Sequence, residues 1–287
     1  MKNLIIMKKT LFLLGGLLIS VATTAQVKTP ALSPKAEVEQ TVGLTEIEVD
    51  YYRPSLRGRD MHKDILPEGK KWRFGANKNT TISFDTEVNF GGTKVAAGEY
   101  AMYALVGEKE WTITLYNGTD NWGLPANWDA SKVVAETVVP VTKNKNKVET
   151  FTISFDNLDV DYFDLVVEWE HTKLPIRVDL PTKELATASI QAAMKGSPSG
   201  RDYYDAANYY LNANIELESA LEYINKSIAM HDNAPFYYIR NKALILGAMG
   251  RNEEAIETAK LSLKMAKEAG SEEYVRKNEE SIKKWSK

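Results

Sequence analysis

Cysteine is absent from this chain of 287 residues. That excludes disulfides, thiolate catalysis, cysteine-ligated zinc and a lipid-modified N-terminal cysteine. Histidine is scarce: His62, His171 and His231 are scattered along the sequence. A metal centre needs more ligands at closer spacing, so neither metal nor cofactor is expected. The motifs G-x-S-x-G, H-E-x-x-H, the P-loop and G-x-G-x-x-G are missing, so no familiar nucleophile, zinc or nucleotide site is written in the chain. Acidic side chains number 39; pairs are then unavoidable and do not signal glycoside hydrolysis. Excess positive charge is lacking too. The formal net charge is −3, which gives no general attraction to nucleic acid.

One apolar run stands out, at the N-terminus. Lys2, Lys8 and Lys9 precede Leu11–Val21, and small residues fill Ala22–Ala25. This is the pattern of a secretory signal peptide over residues 1–25, and the run is short for a bilayer about 30 Å thick. Met7 opens an equally good signal. The expected mature chain starts at Gln26, with residues 26–35 as a Pro-containing linker. No later run has membrane length, so the mature chain is expected to have no transmembrane segment and to be exported. The periplasm is the first expectation, with secretion or envelope association as others.

From residue 36 to 181 the pattern is that of strands. Thr45, Ile47, Val49 and Tyr51 alternate with Glu46, Glu48, Asp50 and Tyr52, the period of a half-buried strand. Gly98–Val106 and Trp111–Tyr116 flank the polar turn 107–110, which reads as a hairpin. Thr81–Phe84, Lys132–Val141, Val148–Phe155 and Phe163–Trp169 add further strands, with Lys143–Lys147 as a solvated hairpin turn. Short strands without intervening helices predict an antiparallel β-sandwich or barrel. At Pro181 the period changes. Thr182–Lys195 reads as a helix capped by Thr182, residues 182–200 as helix and linker, and 201–287 as an α-helical array. Ala220–Ile228 recurs as Ala255–Leu263, offset by 35 residues, close to the tetratricopeptide length of about 34. The chain is therefore expected to be α+β in two parts, and so short an array is expected to lean on the β domain or on a partner.

Within the strand region, residues 52–81 break the alternation. This segment holds Arg53, Arg57, Arg59 and Arg73, four of the chain's nine arginines. Arginine is the choice where a planar, bidentate grip is needed. The motifs Tyr51-x-Arg53-Pro54-x-x-x-Gly58-Arg59 and Trp72-Arg73-x-Gly75-Ala76-Asn77 lie here. Ala97-Gly98-Glu99-Tyr100 and Glu110-Trp111 follow. Together they resemble the DUF2911 family of exported bacterial proteins, whose function is unknown. Phe74 stands where threonine is more usual. The resemblance covers about residues 36–180 and transfers no catalytic residue.

Two readings of the segment stand side by side. Arg53, Arg59 and Arg73, with Trp72 and Asn77, form an anion-binding pocket, or the arginines latch the excursion to Asp60, Asp64 or Glu68. The loop Asn121–Asp129 carries Trp122 and Trp128, which stack on a sugar or peptide, or lid the end of the sandwich core. The sequon Asn79-Thr80-Thr81 is uninformative in a bacterial export product. The first functional expectation is a non-enzymatic binding protein of the envelope. Its β domain holds a small anionic or sugar-like ligand, or a partner, and its helical repeats contact a protein. The alternatives are a periplasmic hydrolase with its site in residues 53–77, and a scaffold whose helical array does the binding. Export is tested by intact mass: chain recovered from the native envelope fraction should begin near Gln26, and a full-length cytosolic chain would contradict it.

Overall fold

A computed structural model of the chain describes residues 29–287, so the expected signal segment lies outside the described residues. In β2 (Thr45–Tyr52), Thr45, Ile47, Val49 and Tyr51 are buried while Glu46 and Glu48 are exposed, as the alternation predicts. This strand pairs with β1 (Lys35–Val42) on one side and β4 (Thr81–Phe84) on the other. The two-residue β3 (Lys71–Trp72) pairs with β7 (Gly98–Leu105). Strand β7 also forms the expected hairpin with β8 (Glu110–Tyr116), and β9 (Val133–Pro140) completes the order β1-β2-β4-β7-β8-β9. The second sheet has the order β10-β11-β5-β6, from β5 (Val88–Phe90), β6 (Thr93–Val95), β10 (Thr142–Asp156) and β11 (Tyr162–Asp179). All pairings are antiparallel. Neither sheet closes on itself, so the β domain is a sandwich and not a barrel.

Lys143–Lys147 is no turn. It lies inside β10, where the register against β11 shifts between Lys143 and Val148. An irregularity of that kind absorbs unpaired residues on one strand. Lys147 then reaches Glu170 at 3.3 Å, and Asn144 donates to Glu168 at 2.8 Å.

Both sheets contribute to one core. At one end of it lies a cluster of rings centred on Trp72. Trp72 stacks on Trp169 at 5.7 Å and meets Phe151 at 5.1 Å, Phe74 at 5.7 Å and Trp111 at 6.0 Å. Such pairs add about 0.5–1.5 kcal/mol each beyond the area they bury. The cluster therefore ties β3 and β8 of one sheet to β10 and β11 of the other. Strand β7 serves two sides. Tyr100, Met102 and Ala104 enter this core, while Ala101 and Tyr103 face outward and join Tyr116 in a separate cluster.

Six helices follow: α1 (Thr182–Met194), α2 (Gly200–Asn212), α3 (Leu217–Ala229), α4 (Phe236–Ala248), α5 (Asn252–Glu268) and α6 (Glu272–Trp285). Ser199 and Asp202 form a reciprocal capping box at the start of α2, which satisfies two of its first N–H groups. The sequence repeat has a structural counterpart. Ser227 of α3 donates to the Gly200 carbonyl at 2.6 Å, and Ser262 of α5 donates to the Phe236 carbonyl at 2.8 Å. Each buried hydroxyl clips the second helix of a pair to the beginning of the first. Ala220 and Ala255 sit equivalently, both fully buried.

Thr182 does not cap α1. Its hydroxyl donates to the carbonyl of Val160, in the connection between β10 and β11. The β1–β2 turn meets them there. Gly43 has φ +58°, and a Cβ on it would collide with Thr182 and with the Val160 carbonyl. A side chain at 43 is thus opposed both by the left-handed backbone and by lack of space. Gly43→Ala should cost roughly 2 kcal/mol or more, and should open the bond at residues 180–182 to proteolysis before the sandwich unfolds. A thermal melt with limited digestion checks this; an unchanged melt and digestion pattern would contradict it.

Candidate functional site

The four arginines of residues 52–81 separate by what they touch. Arg53 follows β2, and its guanidinium donates to the Phe151 carbonyl at 3.0 Å and the Thr152 hydroxyl at 2.7 Å, binding the first sheet to β10. Arg59 folds back on its own turn, donating to the carbonyls of Leu56 at 2.9 Å and Ser55 at 3.0 Å. Arg57 reaches the Leu32 carbonyl at 2.6 Å. Asn77 donates to the Ser33 carbonyl at 3.4 Å, and the Arg53 backbone N–H to Pro34 at 2.9 Å, so three successive carbonyls of residues 32–34 are held. These arginines are latches, but to backbone carbonyls and not to the expected carboxylates. Asp60 and Asp64 are otherwise engaged. Asp60 accepts from the Lys63 N–H, which holds its carboxyl below the ordinary value, and Asp64 accepts from the Asp60 N–H.

Arg73 differs. Its Nε is buried and has no hydrogen-bond partner. Trp72 before it turns into the aromatic cluster, with its indole N–H on the Gly75 carbonyl at 3.0 Å, so the two neighbours face different surroundings. The chain then makes a tight excursion, with φ of +58° at Phe74 and +54° at Asn77. Positive φ at a bulky residue is strained and persists only where surrounding contacts enforce it. Here the Phe74 ring is locked in the core against Trp72 and Phe151, and the Thr80 hydroxyl donates to the Phe74 carbonyl. The Thr80 N–H returns to the Arg73 carbonyl at 3.3 Å, which brings residues 73 and 79–80 side by side.

Asn79 lies on this return and was not singled out by sequence. It is 3% exposed, and both its amide nitrogen and its amide oxygen lack partners. Burying a polar group without a hydrogen bond costs about 1–3 kcal/mol, and the large majority of buried polar groups avoid it. The sequon that includes Asn79 is inaccessible in the folded chain.

The loop Asn121–Asp129 lies over these two residues. The Asn79 N–H donates to the Asn121 carbonyl at 3.4 Å, and a Cβ on Gly123 (φ +107°) would stand 2.9 Å from Arg73 Nη1. Only glycine lets the backbone come so close to the guanidinium in that conformation. Trp128 does not lid the end of the core. It packs on the outer face of the sheet, 5.3 Å from Tyr103 and 4.7 Å from Tyr116, with the Lys71 ammonium 4.0 Å from its ring centre. Trp122 is 74% exposed and Leu124 about half. The loop's polar anchors are long: Asn121 Nδ2 to the Tyr103 hydroxyl at 3.3 Å and the Asp129 N–H to the Tyr116 hydroxyl at 3.3 Å. Burial raises the Tyr103 phenol above its ordinary value, so it stays protonated at neutral pH and can donate. Asp129 accepts from the hydroxyl and N–H of Ser131, which lowers its carboxyl.

Thus the structure gathers Arg73 and the aromatic loop into one place, adds Asn79, Asn121 and Tyr103, and directs Arg53, Arg59, Trp72 and Asn77 to packing and backbone contacts. Elsewhere, two open depressions of about 590 Å³ lie against the β7–β8 turn and between α2, α4 and Trp285. Glu37, Glu48 and Asp50 bring carboxylate oxygens within 4.8 Å of one another on the face of β1 and β2. That group is largely solvated, and Lys35 already holds Asp50 at 2.8 Å.

A family model described as "Protein of unknown function (DUF2911)" matches residues 33–178. The chain belongs to the DUF2911 family. The match starts at the strap held by Arg53, Arg57 and Asn77, and it ends in β11. The candidate site lies wholly inside the DUF2911 region and the helices lie outside it. No curated protein and no solved structure matches the chain.

The latch geometry fixes an outcome. Arg53→Ala and Arg59→Ala each strand two acceptors, and each should lower stability by about 1–3 kcal/mol where those acceptors are desolvated. Lysine should recover little, because its ammonium cannot make two bonds in fixed planar directions. Chemical denaturation of the two alanine and two lysine variants measures this; a silent Arg59→Ala would remove the latch role.

Proposed function

We propose that this chain is an exported, non-enzymatic binding protein of the cell envelope. Its sandwich holds a small anionic or sugar-like ligand at Arg73 and Asn79 beneath the loop 121–129. The observation that carries this reading is the contrast among polar groups of one segment. Arg53 and Arg59 spend their donors on the fold, whereas Arg73 Nε and the whole Asn79 amide are buried without partners. Groups held unsatisfied at a cost in stability mark places where function outranks folding.

A hydrolase in residues 53–77 would call for an acid poised above the ordinary carboxylate range. The Glu46 carboxyl is raised through its hydrogen bond with Glu39, but it lies on the solvated face of β2 and not in residues 53–77. The site at Arg73 is instead built of donors, amides and rings, which bind without taking or giving a proton.

The helical domain is read as a tetratricopeptide-like array that contacts a protein partner. The 35-residue repeat and its equivalent Ser227 and Ser262 clips favour the array. Within it Tyr204 stacks on the buried Tyr238 at 4.2 Å, Asn241 donates to Asn208 at 3.0 Å, and Tyr274 lies against Phe236 at 4.9 Å, contacts that pack helix on helix. No helix among the described residues is long and apolar enough to cross a membrane. Export itself rests on the sequence of residues 1–25.

Stability separates a binding role from a structural one. Leucine is close to asparagine in shape and removes the orphaned amide. Asn79→Leu should leave stability level or raise it by about 1 kcal/mol, and Arg73→Ala should move the melting temperature by no more than about 2–4 °C. A loss of roughly 2 kcal/mol or more in both variants would show that these groups serve the fold, and the reading would fall.

A further inference from the structure

The demands of the unpaired groups narrow the ligand. Resting on the reading of Arg73 and Asn79 as ligand groups, we infer that the site takes an acidic sugar, a pyranose bearing a carboxylate. Arg73 offers a cationic, planar donor that matches a carboxylate. Asn79 leaves both a donor and an acceptor unpaired. Simple carboxylates only accept, so they would bring negative charge against the amide oxygen and leave it unsatisfied. Sugar hydroxyls donate and accept at once, and adjacent hydroxyls meet both ends of one amide.

The loop supplies the remaining requirement. Trp122 has a ring free to solvent in the same loop that lies on Arg73 through Gly123. An indole face packs on the C–H face of a pyranose and gains nothing from a small inorganic anion. Asn121 and the Tyr103 hydroxyl, paired with each other at 3.3 Å, are two further polar groups at the site that can exchange that bond for ligand hydroxyls. An amino acid fits less well. Its ammonium would meet the charges of Lys71 and Arg73, and the nearby Asp129 carboxylate is already committed to Ser131.

The polar contacts of the loop's first residues are few and long: 3.4 Å from Asn79 to Asn121 and 3.3 Å from Asn121 to the Tyr103 hydroxyl, whereas Trp128 anchors the other end on Tyr103 and Tyr116. Entry therefore needs residues 121–124 to lift from Arg73 and Asn79 about that anchor, after which Trp122 closes on the sugar.

Calorimetric titration of the mature full-length chain with D-glucuronate, D-glucose, acetate and glycine tests the assignment. Glucuronate should bind at least about ten-fold more tightly than the other three, because each comparison compound forfeits the carboxylate or the hydroxyl contacts. Arg73→Lys and Trp122→Ala should each weaken it by about ten-fold or more, and Trp122→Ala should also abolish the ligand-induced change in tryptophan emission. Acetate binding as tightly as glucuronate, and lost in Arg73→Lys, would overturn the sugar while leaving the Arg73–Asn79 site standing. Glycine binding more tightly than glucuronate would overturn it in favour of an amino acid. Glucuronate binding untouched by Arg73→Lys and by Asn79→Leu would place the sugar elsewhere and defeat the site itself. Absence of binding by all four would overturn the inference.

Discussion

The packing of Trp72 between the two sheets is the constraint from which the rest of the β domain follows. Its ring stacks on Trp169 of one sheet and abuts Trp111 of the other. With Trp72 pinned inward on extended backbone, Arg73 takes the opposite face and Phe74 the same face as Trp72. Positive φ at Phe74 and again at Asn77 then turns the chain back on itself. The contour carries Arg73 to the outer side and returns Asn79 beside it. The site is thus a by-product of how tightly the core is filled around one tryptophan.

Much of this architecture could be read from residue order, and the failures have definite causes. Strand β2, the β7–β8 hairpin and helix α6 follow from period alone, because each has one solvated face and one buried face. Strands β5 and β6 did not, since three residues show too little alternation. The second half of β11, residues 170–179, does alternate, with Thr172, Leu174, Ile176 and Val178 buried between Lys173, Pro175 and Arg177, and it escaped because a proline inside the run argues against a strand. Lys143–Lys147 has the composition of a turn and lies in a strand, because the irregular register of β10 turns its polar residues to solvent and to Glu168 and Glu170.

The site was half legible. Arginine enrichment marked the right segment, but a guanidinium satisfied by carbonyls and one left unpaired look alike in a sequence. Carbonyls leave no trace in side-chain identity, so the Leu56 and Phe151 acceptors could not be foreseen, and acidic neighbours were the natural but mistaken choice. Asn79 stood out only as part of a sequon, which says nothing of this role. Its distinction is to be buried among groups that do not answer it, and only the folded chain decides that.

The junction at Gly43, Thr182 and Val160 has a mechanical consequence. Strand β11 is 18 residues long, is bonded to β10 on one side and β5 on the other, and leads within three residues into α1. Tension applied between the helices and the far end of the sandwich therefore runs along β11. Its lateral bonds are loaded together, in shear, and do not break in succession. The Thr182 hydroxyl on Val160 stands first in that line. The helices are held to the sandwich at a point that would yield before the strand behind it, leaving the sheet, and whatever it holds, intact.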